Sequence, residues 1–176
     1  MENMFRDLKA DEIDCRISTF NENYISILLY KDARVDQNIL DETVGTEKWQ
    51  RDHKELKNNI YCGISIWNEE IKQWITKWDC GKESFTEAEK GEASDSFKRA
   101  GFNWGIGREL YTAPTIYVPY KDKEGKENYE IKVKGNKKTT YTKFYVEKIQ
   151  IIEKEITAIS IINDKNKRVF VYKKIV

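Results

Sequence analysis

Polar and apolar positions alternate along much of this chain, and the alternation gives way twice to a helical period. Ile13 to Phe20 and Tyr24 to Lys31 read as strands joined by the turn Asn21-Glu22-Asn23. From about Ala33 to Val44 the apolar residues Val35, Ile39, Leu40 and Thr43 instead form a helical stripe. Asp32 stands where an N-cap belongs, and Gly45 is a natural C-terminal stop. Three strands are then expected, Trp49 to Leu56, Ile60 to Trp67 and Ile71 to Trp78, turning at Asn58-Asn59 and Asn68-Glu69. Asparagine tolerates the positive φ that tight hairpins require.

A second helix follows. Thr86 and Glu89 have the spacing of a capping box, and Ala93, Phe97, Ala100 and Trp104 share one apolar face. The helix runs into the glycine-broken turn Trp104-Gly105-Ile106-Gly107. Lys98 and Arg99 flank the apolar face, where long basic side chains bury their stems and present charge to a groove. By itself that pattern favours a surface helix with two solvated cations, and the rest of the chain shifts the balance. Gly101, just beyond them, is expected to loosen the helix.

Beyond Pro114, Ile116 to Tyr120 and Tyr129 to Val133 flank a lysine-rich turn around Glu124-Gly125-Lys126. Tyr141 to Ile152, Ile156 to Ile162 and Arg168 to Tyr172 read as further strands. Strands, helix, three-stranded meander, helix and a last antiparallel group make an α+β fold. No repeat, low-complexity tract or linker divides it, so residues 1–176 are expected to form a single domain.

Composition narrows the chemistry. The chain has 176 residues with 5 Trp, 10 Tyr and 7 Phe, enough for an ordered core. Cys15, Cys62 and Cys80 form no C-x-x-C pair, and His53 is the single histidine. A zinc site, a disulfide framework and a Ser or Cys triad are thus disfavoured, and reduced, partly buried thiols are expected. The longest apolar run, Ile25 to Tyr30, is too short to span a bilayer, and no leader-like segment opens the chain, so a cytoplasmic protein is expected. No G-x-x-x-x-G-K-[ST] occurs, which argues against an ATP-driven motor. Asp79 with Lys82, and Glu130-Ile131-Lys132, keep a metal-dependent nuclease in view. The same E-x-K spacing recurs at Glu70 and Glu124 in this charge-rich chain. Net charge is +1, but residues 1–95 hold 13 basic and 21 acidic residues whereas residues 96–176 hold 18 and 9. So uneven a distribution suits contact with a polyanion or with a neighbouring subunit.

Two separated motifs carry a family resemblance. The first is Tyr30-Lys31-Asp32-Ala33-Arg34-Val35, with Leu40-Asp41-Glu42, Val44-Gly45 and Trp49. The second is Glu89-Lys90-Gly91, then Ala93 to Ala100, Trp104-Gly105-Ile106-Gly107-Arg108 and Leu110-Tyr111. In this order, with a β-β-β meander between them, they resemble the Rad fifty-two superfamily of single-strand annealing proteins, especially the phage and prophage members of Sak type. The resemblance covers about residues 24–114, and residues 115–176 form a less similar β-rich remainder. It implies an antiparallel meander packed on a helix, and a homo-oligomer arranged as a ring or helical arc. It further implies annealing of complementary strands in homologous recombination and DNA repair, without ATP or any other cofactor and without enzymatic bond-making. Single-stranded DNA would lie in a basic groove. Arg34 matches the family's groove arginine, and Lys98 and Arg99 match its basic pair. Lys90 and Arg108 are basic neighbours that would extend the track, Arg108 serving an intersubunit salt bridge equally well. Arg34 has an alternative in pairing with Asp32 or Asp36, and Asp95 is expected to orient Lys98 or Arg99. The tryptophans are either base-stacking platforms or, in the meander, core and interface residues. A single-strand-binding protein is a candidate partner, and a membrane is not. The rival readings are a non-annealing protein that protects single strands, a metal-dependent nuclease and a purely structural oligomer.

Overall fold

A computed structural model describes residues 5–81, 88–135 and 137–175, with the backbone alone for 88–90. The first two alternating segments pair as an antiparallel hairpin, β1 (Asp14–Phe20) and β2 (Tyr24–Tyr30). Asn21 closes it, its side-chain oxygen accepting the N–H groups of Asn23 and Tyr24 at 2.8 and 2.9 Å. Helix α1 (Ala33–Val44) starts where Asp32 accepts the Arg34 N–H and stops at Gly45, whose φ is 87°. The chain then forms the meander β3 (Trp49–Leu56), β4 (Asn59–Asn68) and β5 (Gln73–Cys80), followed by helix α2 (Ala88–Trp104). The remaining strands are β6 (Ile116–Pro119), β7 (Lys132–Lys134), β8 (Lys137–Thr139), β9 (Phe144–Ile152), β10 (Glu155–Asn163) and β11 (Arg168–Lys173). The fold is α+β, every strand pairing is antiparallel, and no described helix is long and apolar enough to cross a membrane.

These elements make two compact units. Asp32–Arg108, with the segment ending at Asp7, forms the first. Its sheet order is β3-β4-β5, and Cys62, Ile64 and Ile66 of β4 turn one face toward α2. They are buried with Phe97 and Ala100 of α2, and Ile39 and Leu40 of α1 are buried as well. Burying each such large apolar side chain is worth about 1.5–3 kcal/mol, so this layer dominates the unit's stability. Gly63 belongs to the other face, and a Cβ there would come within 2.6 Å of the Trp78 indole. The glycine thus lets the ring lie flat on the sheet.

Several local expectations need correcting. The β3–β4 turn takes its positive φ from Lys57 (53°) and Asn58 (60°), while Asn59 already belongs to β4. Asn68 is also in strand conformation. Its side-chain oxygen accepts the N–H groups of Glu70 and Ile71, lengthening the turn and starting the third strand at Gln73 rather than Ile71. In α1 the buried positions are Asp36, Ile39 and Leu40, and Thr43 is exposed. Gly101 does not loosen α2. A Cβ there would stand 2.6 Å from the Asp36 carboxylate, so the glycine permits the close approach of the two helices. The capping box of Thr86 and Glu89 lies outside the described residues.

Leu8–Lys31 and the chain from Glu109 form the second unit. Its six-stranded sheet has the order β11-β10-β9-β1-β2-β6, and β7 and β8 pair separately. The sheet curls until its edge strands β6 and β11 approach within 8 Å between Cα atoms. Ile25, Ile27, Ile116, Val118, Phe144, Val146, Ile159 and Ile161 are buried in it. The expected strand from Tyr129 to Val133 shrinks to Lys132–Lys134, because Tyr129 is drawn into the core beside Phe20 and Tyr120. The cysteines are free, and burial pushes the Cys62 thiol up to about 11 and that of Cys15 to about 12.

Candidate nucleic-acid interface

Within the first unit, α1 and α2 pack together and carry two of the expected cations, Arg34 and Lys98. Asp32 caps α1 and receives the Arg34 backbone N–H at 2.8 Å. The same carboxylate accepts Arg34 Nε at 2.8 Å and Nη2 at 3.3 Å. Arg34 thereby folds back on the residue that starts its own helix, with its side chain 83% exposed. Those hydrogen bonds hold the Asp32 carboxyl below its ordinary value, and the charge of Lys98 on α2 adds to the effect. Arg34 is thus the ion-pair partner of Asp32, and Lys98 acts on that carboxylate through its charge from α2. An exposed ion pair of this kind is worth at most about 1 kcal/mol, so a phosphate can take the carboxylate's place at little cost.

Arg99 turns elsewhere. Its Nε lies 3.3 Å from Asp79 of β5, which also accepts Asn103 Nδ2 at 3.2 Å and the Cys80 N–H at 2.8 Å. Adjacent residues on a helix point about 100° apart, so Lys98 and Arg99 cannot both follow one line. Arg108 donates to the carbonyls of Phe102 and Asn103 at 2.6 and 3.0 Å and acts as a C-terminal cap of α2. Lys90 lies on α2, but its side chain is outside the described residues. Asp79 orients Arg99, a role the sequence reading offers to Asp95.

Other cations on the meander escaped the sequence reading. Lys77 Nζ donates to the Asn103 carbonyl at 2.9 Å and sits 4.3 Å from the Trp104 ring centroid. With Arg108 it gathers positive charge at the C-terminal end of α2, where the helix dipole favours it. Lys54 lies 4.4 Å over the Trp78 ring. Pairing of β3, β4 and β5 creates that juxtaposition, since Asp52, Gly63 and Trp78 stand in one row with Lys54 two residues further along β3. The only signal in the sequence is Lys54 set among alternating polar residues.

The tryptophans divide by face. Trp49 donates to Asp41 at 2.6 Å and stacks near Phe97, and Trp104 donates to the Ile64 carbonyl at 2.9 Å. Trp67 and Trp74 meet edge-on at 5.5 Å on the face turned from α2, and Trp74 and Trp78 are partly exposed.

Of the carboxylates considered for a nuclease, Asp79 is engaged as described and Glu130 is paired with Lys165 at 2.7 Å. Lys82 lies outside the described residues. Among the described residues no group of three or more His, Cys, Asp or Glu is arranged to hold a metal ion.

A family model described as the Rad52/22 family double-strand break repair protein matches residues 1–129. No curated protein matches the chain.

Proposed function

Because the chain belongs to the Rad52/22 family of double-strand break repair proteins, we propose that it binds single-stranded DNA and anneals complementary strands. The exposed Arg34 at the start of α1, with the charge of Lys98 on α2 acting on the same Asp32 carboxylate, supports this reading. An exposed guanidinium on a single counter-charge, with a second cation near enough to act on that charge, suits the phosphates of a strand held by its backbone. Contact through phosphates carries little sequence information and leaves the bases free to pair. Annealing then comes from concentrating and extending strands, and it needs neither ATP nor bond-making by the protein. Lys90 and Arg108 extend the track, Arg108 first exchanging its present partners, and Arg99 meets the strand from the β5 side of α2, off the line of Lys98, once it leaves Asp79. On this reading the protein works as a homo-oligomer, a ring or helical arc, of the phage and prophage Sak type.

Annealing of two labelled complementary oligonucleotides, followed by energy transfer without nucleotide, tests the proposal. The wild type should accelerate pairing, and a folded Arg34→Ala/Lys98→Ala variant should lose most of that acceleration. A wild type no faster than buffer defeats the annealing reading. A variant as fast as wild type defeats the assignment of the groove.

A further inference from the structure

A second surface, in the six-stranded sheet, has a different chemistry. Every second residue of β2 points outward, which puts Tyr24, Leu28 and Tyr30 on one face while Ile25 and Ile27 are buried. Register extends that face across the neighbouring strands. Tyr117 of β6 pairs with Ser26, and Arg16 of β1 pairs with Leu28. Asp14 pairs with Tyr30 on one side and with Tyr145 of β9 on the other. The five large side chains Tyr24, Leu28, Tyr30, Tyr117 and Tyr145 are each 38–54% exposed, and four of the five are tyrosine. Tyr24 and Tyr117 meet edge-on at 5.2 Å.

The strand pairing opens a cleft beside this row. Between β1 and β9 the pair Asp14–Tyr145 is the only register match, and the strands diverge beyond it. A cleft of about 580 Å³ results, lined by Asp14, Arg16, Tyr30, Lys143 and Tyr145 among others. Elsewhere in the unit, Lys165, Lys167, Arg168 and Lys174 are held by Glu130, Asp122, Glu147 and Glu155. Among the described residues no carboxylate lies within ion-pair distance of Arg16 or Lys143.

We propose that this face is a base-stacking platform for single-stranded nucleic acid, separate from the phosphate contacts at Arg34 and Lys98. Unpaired cations beside exposed aromatic rings are the combination that holds a single strand, because every base offers a π-face and every phosphate a charge. Asp14 fixes which part of the strand lies over the row. Its carboxylate repels phosphate and accepts a hydrogen bond from an exocyclic amino group, so bases lie over Tyr30-Asp14-Tyr145 and phosphates lie toward Arg16 and Lys143. The two tyrosines stand two strand spacings apart, about 10 Å, and Tyr24 to Tyr30 runs about 20 Å along β2. That length accommodates a few nucleotides. Duplex DNA does not fit this chemistry, since its bases are already stacked on one another.

The test uses the full chain and fluorescence anisotropy with two probes of equal length, oligodeoxycytidylate and a strand of abasic sites. The wild type should prefer the strand that carries bases. Tyr30→Ala/Tyr145→Ala should weaken binding of oligodeoxycytidylate by about tenfold or more and leave the abasic strand unchanged. Tyr30→Phe/Tyr145→Phe keeps the rings and should bind as wild type does. The groove variant Arg34→Ala/Lys98→Ala should weaken both probes alike, which separates failure of the groove from failure of the platform. Equal wild-type affinity for the two probes overturns the proposal, and so does an alanine variant that weakens both equally or neither. Should the alanine variant not fold, photocrosslinking of wild type to a strand containing 5-iodocytosine decides the matter. Adducts on Tyr30 or Tyr145 support the platform, and adducts confined to other residues overturn it.

Discussion

Asp32 does two jobs that a single substitution can separate. Its side chain caps α1, and its charge holds Arg34. Asparagine caps a helix about as well as aspartate, so Asp32→Asn keeps the first turn while removing the negative charge beside Arg34 and Lys98. Single-stranded DNA should then bind more tightly, by a few-fold at low salt, in a filter or anisotropy titration. Weaker binding would mean that Asp32 must position Arg34 rather than merely neutralise it. The pH dependence follows from the direction of the Asp32 shift. A carboxyl held below its ordinary value of 3.8 contributes stability above that pH and loses it as pH falls through the folded-state value. Between pH 6 and 8 the pair therefore stays ionised, and the Asp32→Asn effect on binding should be constant across that window.

At the scale of elements, the contact of α1 with α2 depends on Gly101, which the sequence alone makes look like a defect. Alanine is preferred to glycine inside a helix by about 1 kcal/mol, so Gly101→Ala on an isolated α2 would stabilise it. Here the added Cβ meets the fully buried Asp36 at 2.6 Å. Overpacking of this kind against a fully buried side chain costs about 1–3 kcal/mol. Gly101→Ala should therefore lower stability in urea unfolding, and an unchanged or raised midpoint would show that Asp36 moves aside. The same residue shows where sequence reading stops. The alternation of β1 to β4 and the caps of α1 were legible because they depend on neighbours a few residues away. The burial of Asp36 against Gly101, the holding of Arg99 by Asp79 and the stacking of Lys54 on Trp78 depend on residues 20 or more apart in sequence or on strand register. Nothing in local periodicity encodes those. Lys98 and Arg99 were found as a pair, but a helix separates adjacent side chains, and only the fold reveals that their partners lie on different elements.

For the molecule as a whole, the family match stops at residue 129, within the second unit and before β9, β10 and β11. The matched part contains all of the first unit's elements together with β1, β2 and β6 of the second, and the proposed backbone contacts at Arg34 and Lys98 lie within it. Salt dependence tests those contacts quantitatively. Each phosphate neutralised on a single strand contributes about −0.7 to the slope of log affinity against log salt. If Arg34 and Lys98 each contact a phosphate, their joint replacement by alanine should make the slope shallower by about 1.4 for each bound protomer. If Asp32 keeps Arg34 even in the complex, only Lys98 releases counterions and the change falls to about 0.7. Stacking on the tyrosine face contributes affinity that salt hardly touches, because it displaces few counterions. Tyr30→Ala/Tyr145→Ala should accordingly lower affinity at every salt concentration while leaving the slope as in wild type. Parallel lines for the tyrosine variant and a flattened line for the cation variant would assign phosphate contact to the helix junction and base contact to the sheet. A flattened line for the tyrosine variant would instead mean that phosphate contacts are lost together with the rings, so that the tyrosines act by positioning the backbone.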